Sequence, residues 1–185
     1  MPNATQSVLF IQGGGEDAYA WDERLASSLR DKLGPRYDVV YPRMPNESDP
    51  NYQAWKECIR GELKKLGDTA VLVAHSIGAS MLVKMLTERN ARRSLKGIFL
   101  IAAPFVHERE GWQWKEAEPP ANPAARMPKG VPLFLYHGRD DEEVPFAHLA
   151  MYAAKLPRAT IREFDGRGHQ FNNDLSEVAA DIKQS

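Results

Sequence analysis

Six short runs rich in Val, Ile, Leu and Phe punctuate the chain: Val8–Gln12, Tyr37–Tyr41, Ala70–His75, Gly97–Ala102, Val131–His137 and Thr160–Phe164. Several lack the period-2 alternation of a strand with one wet face. They fit strands covered on both faces of a parallel sheet. Between them, apolar residues recur three to four apart. Trp21, Leu25, Leu29 and Leu33 mark one helix, stopped by Gly34-Pro35. Asn51 to Leu66, ending at Gly67, marks a second. Ile77 to Arg89, with Met81, Leu82, Met85 and Leu86, marks a third. Pro145 suits the first position of a helix Phe146–Leu156. Asn173 or Asp174 can cap a final helix from Asp174 to Lys183. Strand and helix alternating through six strands predict an α/β fold, doubly wound around a mostly parallel sheet with right-handed crossovers.

The 185 residues suit one domain spanning the chain. One connection is long: Pro104 to Gly130 holds Pro119, Pro120, Pro123, Pro128, Trp112 and Trp114. Connections of that length act as binding loops or lids, so 104–130 is expected to be an inserted loop or small lid. Charged residues make up 26% and the net charge is -1, which favours neither nucleic acid nor an acidic membrane as partner. The single cysteine, Cys58, excludes an intrachain disulfide and sits in a helical pattern as a small hydrophobe. The run Val8–Ile11 is too short for a secretory signal or a membrane span, so the cytoplasm is the expected location. Without that signal, the Asn3-Ala4-Thr5 sequon carries little meaning.

The stretch Phe10–Ala20, FIQGGGEDAYA, admits two chemistries. Gly13-x-Gly15-x-x-Ala18 fits the dinucleotide pattern G-x-G-x-x-G/A. The same glycines, following a short strand, can instead turn backbone N–H groups toward the oxyanion of an acyl transfer. The dinucleotide reading needs an acidic residue about 20 positions on, at the end of the second strand. Asp38 has that spacing but begins its strand. Arg43, at the strand's end, suits a 2′-phosphate, which leaves an NADP-binding protein as an alternative. Glu16 and Asp17 lie where the pyrophosphate would sit, and like charges repel.

Further along, the third strand runs into Ala74-His75-Ser76-Ile77-Gly78. This resembles the nucleophile elbow G-x-S-x-G of the α/β-hydrolase superfamily, with Ala74 in place of the first glycine. Such a serine needs a base. Of the five histidines, His75 belongs to the elbow itself, while His107, His137 and His148 read as structural. His169, in the loop DGRGHQF after the last strand, occupies the superfamily's place for the catalytic histidine. The fifth strand ends in LYHGRDDEEVP, which resembles H-G-x-x-D-x-x-V-P. Aligned on Gly138, Val144 and Pro145, the acid is Asp141. Asp140 is the rival, and Glu142 and Glu143 are less suited. The order Ser76, Asp141, His169 is that of the superfamily.

The resemblance, from Val8 to about Asp181, implies a compact serine hydrolase lacking the first two strands of the full sheet, with strand order 2-1-3-4-5-6. It implies a Ser-His-Asp triad acting through an acyl-enzyme on a small or medium carboxylic ester, thioester or amide. Ile77 would supply one oxyanion N–H, and Gly14, or failing that Gly13, the other. Gln12 replaces the usual histidine of that loop. Phe105, Trp112 and Trp114 would line the substrate pocket, or else pack under their loop. No cofactor is implied, no metal motif occurs, and the partner is a small-molecule substrate, bound by a monomer or homodimer. A catalytically weak binding protein on the same fold is the alternative from another class.

Overall fold

The computed structural model describes residues 5–66, 69–88 and 94–185. Its strands are β1 (Gln6–Ile11), β2 (Tyr37–Val40), β3 (Thr69–His75), β4 (Ser94–Ile101), β5 (Leu133–Gly138) and β6 (Thr160–Phe164). They pair in parallel in the order β2-β1-β3-β4-β5-β6, as expected. The helices are α1 (Ala18–Leu33), α2 (Tyr52–Lys65), α3 (Ser76–Leu86), α4 (Ala147–Lys155) and α5 (Ser176–Gln184).

Neighbouring residues of each central strand serve opposite layers. Leu9, Ile11, Leu72, Ala74, Ile98 and Leu100 pack against Trp55, Ile59, Met81, Leu149 and Tyr152 from α2, α3 and α4. Val8, Phe10, Val71, Val73, Phe99 and Ile101 pack against Leu25, Leu29, Val178 and Ile182 from α1 and α5. Both faces are dry, which is why the runs lack alternation. Each fully buried Leu, Ile or Val side chain contributes about 1.5–3 kcal/mol.

The chain starts at β1, steps out to β2, and returns past β1 to β3. The connection from β1 enters α1 on one face; that from β3 enters α3 on the other. A crevice therefore opens between the C-terminal ends of β1 and β3, where doubly wound sheets hold their ligands.

Local signals account for most boundaries. Asn51 caps α2, its Oδ1 accepting the Ala54 N–H at 3.0 Å. At α5, Leu175 takes the cap position instead, while Asp174 accepts the Ser176 N–H at 3.0 Å. Cys58 is half-buried rather than buried. Residues 104–130 form a single bridge, Val106 to Trp112, and a 3-10 turn, Lys115–Ala117. Val106, Ala117 and Met127 pin this stretch to the core on the α2–α4 side. Asn3, Ala4, Gly67 and Arg89, which carried sequence expectations, lie outside the described residues.

Candidate functional site

β3 delivers Ser76 into the crevice at φ +52°, a left-handed conformation that costs a non-glycine residue about 1–3 kcal/mol. The tight turn presses α3 against β1. A Cβ on Gly78 would lie 2.1 Å from the Gln12 carbonyl oxygen, so only glycine fits there. Ala74, fully buried between β1 and β4, stays small enough for the same approach. The result is a serine hydroxyl aimed away from both strands and toward the loop after β6.

His169 meets it there. Its Nε2 lies 3.0 Å from Ser76 Oγ, and its Nδ1 lies 2.8 Å from Asp141 Oδ2. The other Asp141 oxygen accepts the N–H groups of Glu143 and Val144 at 2.9 and 2.8 Å. Burial favours the neutral acid. Hydrogen bonding with His137 and His169 overrides it and holds the carboxyl well below its usual range. His137 sits 3.3 Å behind Asp141 and donates from Nε2 to the Val144 carbonyl. Asp140 is used differently: its carboxylate accepts the N–H groups of Arg167 and Gly168 at 3.0 and 3.1 Å. It braces the histidine's loop from the solvent side and does not reach the imidazole.

The glycine loop has three N–H groups with three fates. Gly13 donates to Asp22 Oδ2 at 2.7 Å. Gly15 donates to the Glu47 carbonyl at 2.6 Å. Among the described residues, the Gly14 N–H is left without a protein acceptor. So is that of Ile77, in the first turn of α3, where helices leave N–H groups unmatched. Gly14 packs directly on Ile77, since a Cβ would come within 2.7 Å of Ile77 Cγ2. Gln12 fixes this loop from below. Its Oε1 accepts the Met44 N–H at 2.9 Å and its Nε2 donates to Glu47 at 2.7 Å. For a dinucleotide the loop has little to give: two of its three amides are spent, and Arg43 is paired with Glu47 at 2.8 Å.

A second histidine–carboxylate pair lies behind the elbow. His75 points away from Ser76, its Nδ1 2.9 Å from Asp22 Oδ2 and its Nε2 3.1 Å from the His169 carbonyl oxygen. Both side chains are buried. Asp22 Oδ1 also accepts from Gln170 at 3.2 Å. Burial favours the neutral form of each partner, yet mutual attraction and hydrogen bonding raise the His75 pKa and lower that of Asp22. The sequence held a signal for this pair. Asp22 shares the helical stripe of Leu25 and Leu29, where a carboxylate must be compensated.

A cavity of about 310 Å³ opens in front of Ser76. Its walls include Gly13, Gly14, Glu16, Trp21, Glu143 and Gln170. Trp21 was expected in the α1 core stripe. It is instead 51% exposed, with the Arg24 guanidinium 4.9 Å from its ring centre. Phe105, Trp112 and Trp114 do not line this cavity. Phe105 is buried edge-on against Tyr152, Trp112 bonds back to Phe105 through its N–H, and Trp114 packs on the α2–α4 core. Phe105 and Trp114 pack on the core, while Trp112 is 38% exposed. No helix among the described residues is long and apolar enough to cross a membrane.

Residues 17–175 match the family profile described as serine hydrolase. No curated protein matches the chain in sequence. Among solved structures, the ydeN gene product of B. subtilis superposes with a TM-score of 0.70 at 19% identity, covering 98% of this chain and 100% of that one. SOBER1 of Arabidopsis thaliana gives 0.70 at 14% identity, covering 98% and 99%. Est1E of Butyrivibrio proteoclasticus gives 0.67 at 14%, covering 99% and 87%. At these identities the likeness shows a shared α/β-hydrolase fold.

Proposed function

The chain belongs to the serine hydrolase family, and from that footing we propose that it hydrolyses small or medium carboxylic esters through a Ser76–His169–Asp141 triad. The observation that carries the proposal is the unbroken line of hydrogen bonds from Ser76 Oγ through His169 to Asp141. With Nδ1 held by a carboxylate, the Nε2 of neutral His169 is free to accept the serine proton.

Ser76 Oγ attacks the ester carbonyl carbon as His169 Nε2 takes its proton, and the carbonyl π pair moves onto oxygen. The N–H groups of Ile77 and Gly14, both unspent, stabilise the resulting oxyanion. The tetrahedral centre collapses, the C–O bond to the alcohol breaks, and His169 protonates the departing alkoxide. Water then adds to the acyl-enzyme, giving its proton to His169, which returns a proton to Ser76 as the acid leaves. Glu16 and Glu143 border the cavity, so the substrate's acyl and alcohol groups should be uncharged or cationic rather than anionic.

Labelling with a fluorophosphonate tests the reading, with Ser76→Ala as control. Covalent capture of the folded wild type, lost in the variant, is expected. Folded wild type that resists the reagent would leave a binding protein on a hydrolase fold. A panel of p-nitrophenyl esters of rising acyl length, with a succinyl monoester as the anionic member, should then show the anionic acyl group disfavoured.

A further inference from the structure

His75 is bonded at both ring nitrogens to groups that accept. The His169 carbonyl has no proton to give, so the His75 Nε2 must carry one. Asp22 already accepts the Gly13 N–H on Oδ2 and the Gln170 amide on Oδ1, an arrangement that suits an ionised carboxylate. Nδ1 facing that carboxylate then carries a proton as well. The ring is an imidazolium, sealed from solvent beside a carboxylate.

These contacts join four segments around the reaction centre. Asp22 comes from α1, Gly13 from the loop bearing the free Gly14 amide, His75 from the elbow, and His169 with Gln170 from the loop after β6. We propose that His75 and Asp22 are positioning residues for the reaction: the His75 imidazolium fixes the main chain of His169, and Asp22 fixes the glycine loop so that the Gly14 N–H meets the oxyanion. This rests on the acyl-transfer reading of Ser76. Groups placed about 1 Å off a productive geometry lose about 10²-fold in rate, and either half of the pair sets such a placement.

The charge has a second consequence. The rings of His75 and His169 lie 4.7 Å apart between centres. The ionisable groups facing His75 are Asp22 from α1, His169 from the loop after β6 and Asp141 from the loop after β5. A fixed cation there compensates the Asp22 carboxylate that α1 buries. The raised pKa of His75 agrees with this charge state.

The test uses His75→Asn, whose amide keeps a donor toward Asp22 and loses the one toward the His169 carbonyl. On p-nitrophenyl acetate, kcat should fall about 10²-fold with KM little changed, and fluorophosphonate capture should slow in step. A loss in kcat alone, at an unchanged fraction of titratable Ser76, is one that a purely structural role would not give. On the wild-type protein, nitrogen-15 NMR should find both His75 ring nitrogens still protonated above the ordinary histidine value of about 6.5. That reading does not depend on any variant folding. A neutral His75 there overturns the proposal, as does a folded His75→Asn with wild-type kcat. If wild type resists the fluorophosphonate, the acyl-transfer reading falls; if it is captured while His75→Asn is captured equally fast, only the positioning role falls.

Discussion

Two histidine–carboxylate pairs stand side by side at the end of the sheet, and at Nδ1 they are nearly the same. His169 lies 2.8 Å from Asp141 and His75 2.9 Å from Asp22. They part at Nε2. One ring faces a hydroxyl, which can give up a proton; the other faces a carbonyl oxygen, which can only accept. In the proposed reaction the first ring can therefore act as base and then acid, while the second holds its cation above the ordinary histidine range. The pair does not define the role; the third partner does.

The sharpest way to break this contrast is to remove each negative charge in turn. Asp141→Asn should lower kcat/KM about 10⁴-fold, because an amide no longer fixes the base's tautomer or stabilises its imidazolium. Asp22→Asn should cost about 10²-fold at most, since it only loosens the loops that Asp22 joins. Steady-state kinetics on one ester compares them. Equal losses would erase the distinction between a reacting pair and a positioning pair.

Next in size is the turn that keeps the pairs apart. Gly78→Ala places a methyl 2.1 Å from the Gln12 carbonyl oxygen, and a backbone atom just past the end of β1 cannot swing aside. The elbow must lift from β1, disturbing Ser76 on one side and His75 on the other. Stability should fall by on the order of 3 kcal/mol, read from urea unfolding. A Gly78→Ala protein of wild-type stability would show that the elbow does not depend on this contact.

The two pairs also differed in how visible they were in the chain. Ser76, Asp141 and His169 each follow a strand and fall in the superfamily's order, so the topology alone brings their loops to one edge. The six strands were equally legible, since runs buried on both faces have few other arrangements. Asp22 was easy to miss: with Trp21 counted into the stripe of Leu25 and Leu29 in its place, the buried carboxylate that signals a partner went unread. Which glycine amide stays free depends on Asp22, nine residues on from Gly13, and on Glu47, in another loop. No local pattern encodes that. Phe105, Trp112 and Trp114 suit a pocket wall or a loop anchor by composition alone; in the fold Phe105 and Trp114 pack on the core and Trp112 stays partly exposed.

A titration of stability separates the pairs without kinetics. Asp22 and Asp141 have lowered pKa values in the folded protein. Their contribution is complete above the unfolded carboxylate value of about 3.9 and drains as pH falls toward the folded one. His75 is raised, so its contribution is complete below about 6.5 and is lost as pH climbs through the folded value. Wild type should be most stable between roughly pH 4 and 6.5 as far as these three groups decide it. In His75→Asn the alkaline loss should shrink, while the acid loss due to Asp141 persists. Urea midpoints across the range measure both limbs. An undiminished alkaline limb in His75→Asn would mean that the cation behind the elbow is not what titrates there.

The smallest effect should come from Asp140, which holds the same loop as His75 but from outside. It accepts the Arg167 and Gly168 N–H groups just before His169, as His75 takes the His169 carbonyl. The difference is solvent. With Asp140 removed, water can reach those exposed N–H groups and replace the carboxylate; the buried carbonyl that faces His75 has no such substitute. Asp140→Ala should therefore lower kcat/KM only a few-fold, with KM and the pH profile unchanged. Both residues restrain one loop, so their losses should not simply add. In a double-mutant cycle, Asp140→Ala should cost more on the His75→Asn background than in wild type, because there it removes the remaining brace. A cycle that closes additively would mean that the two braces act on independent parts of the loop, and that His75 works through its charge rather than through its grip on the His169 main chain.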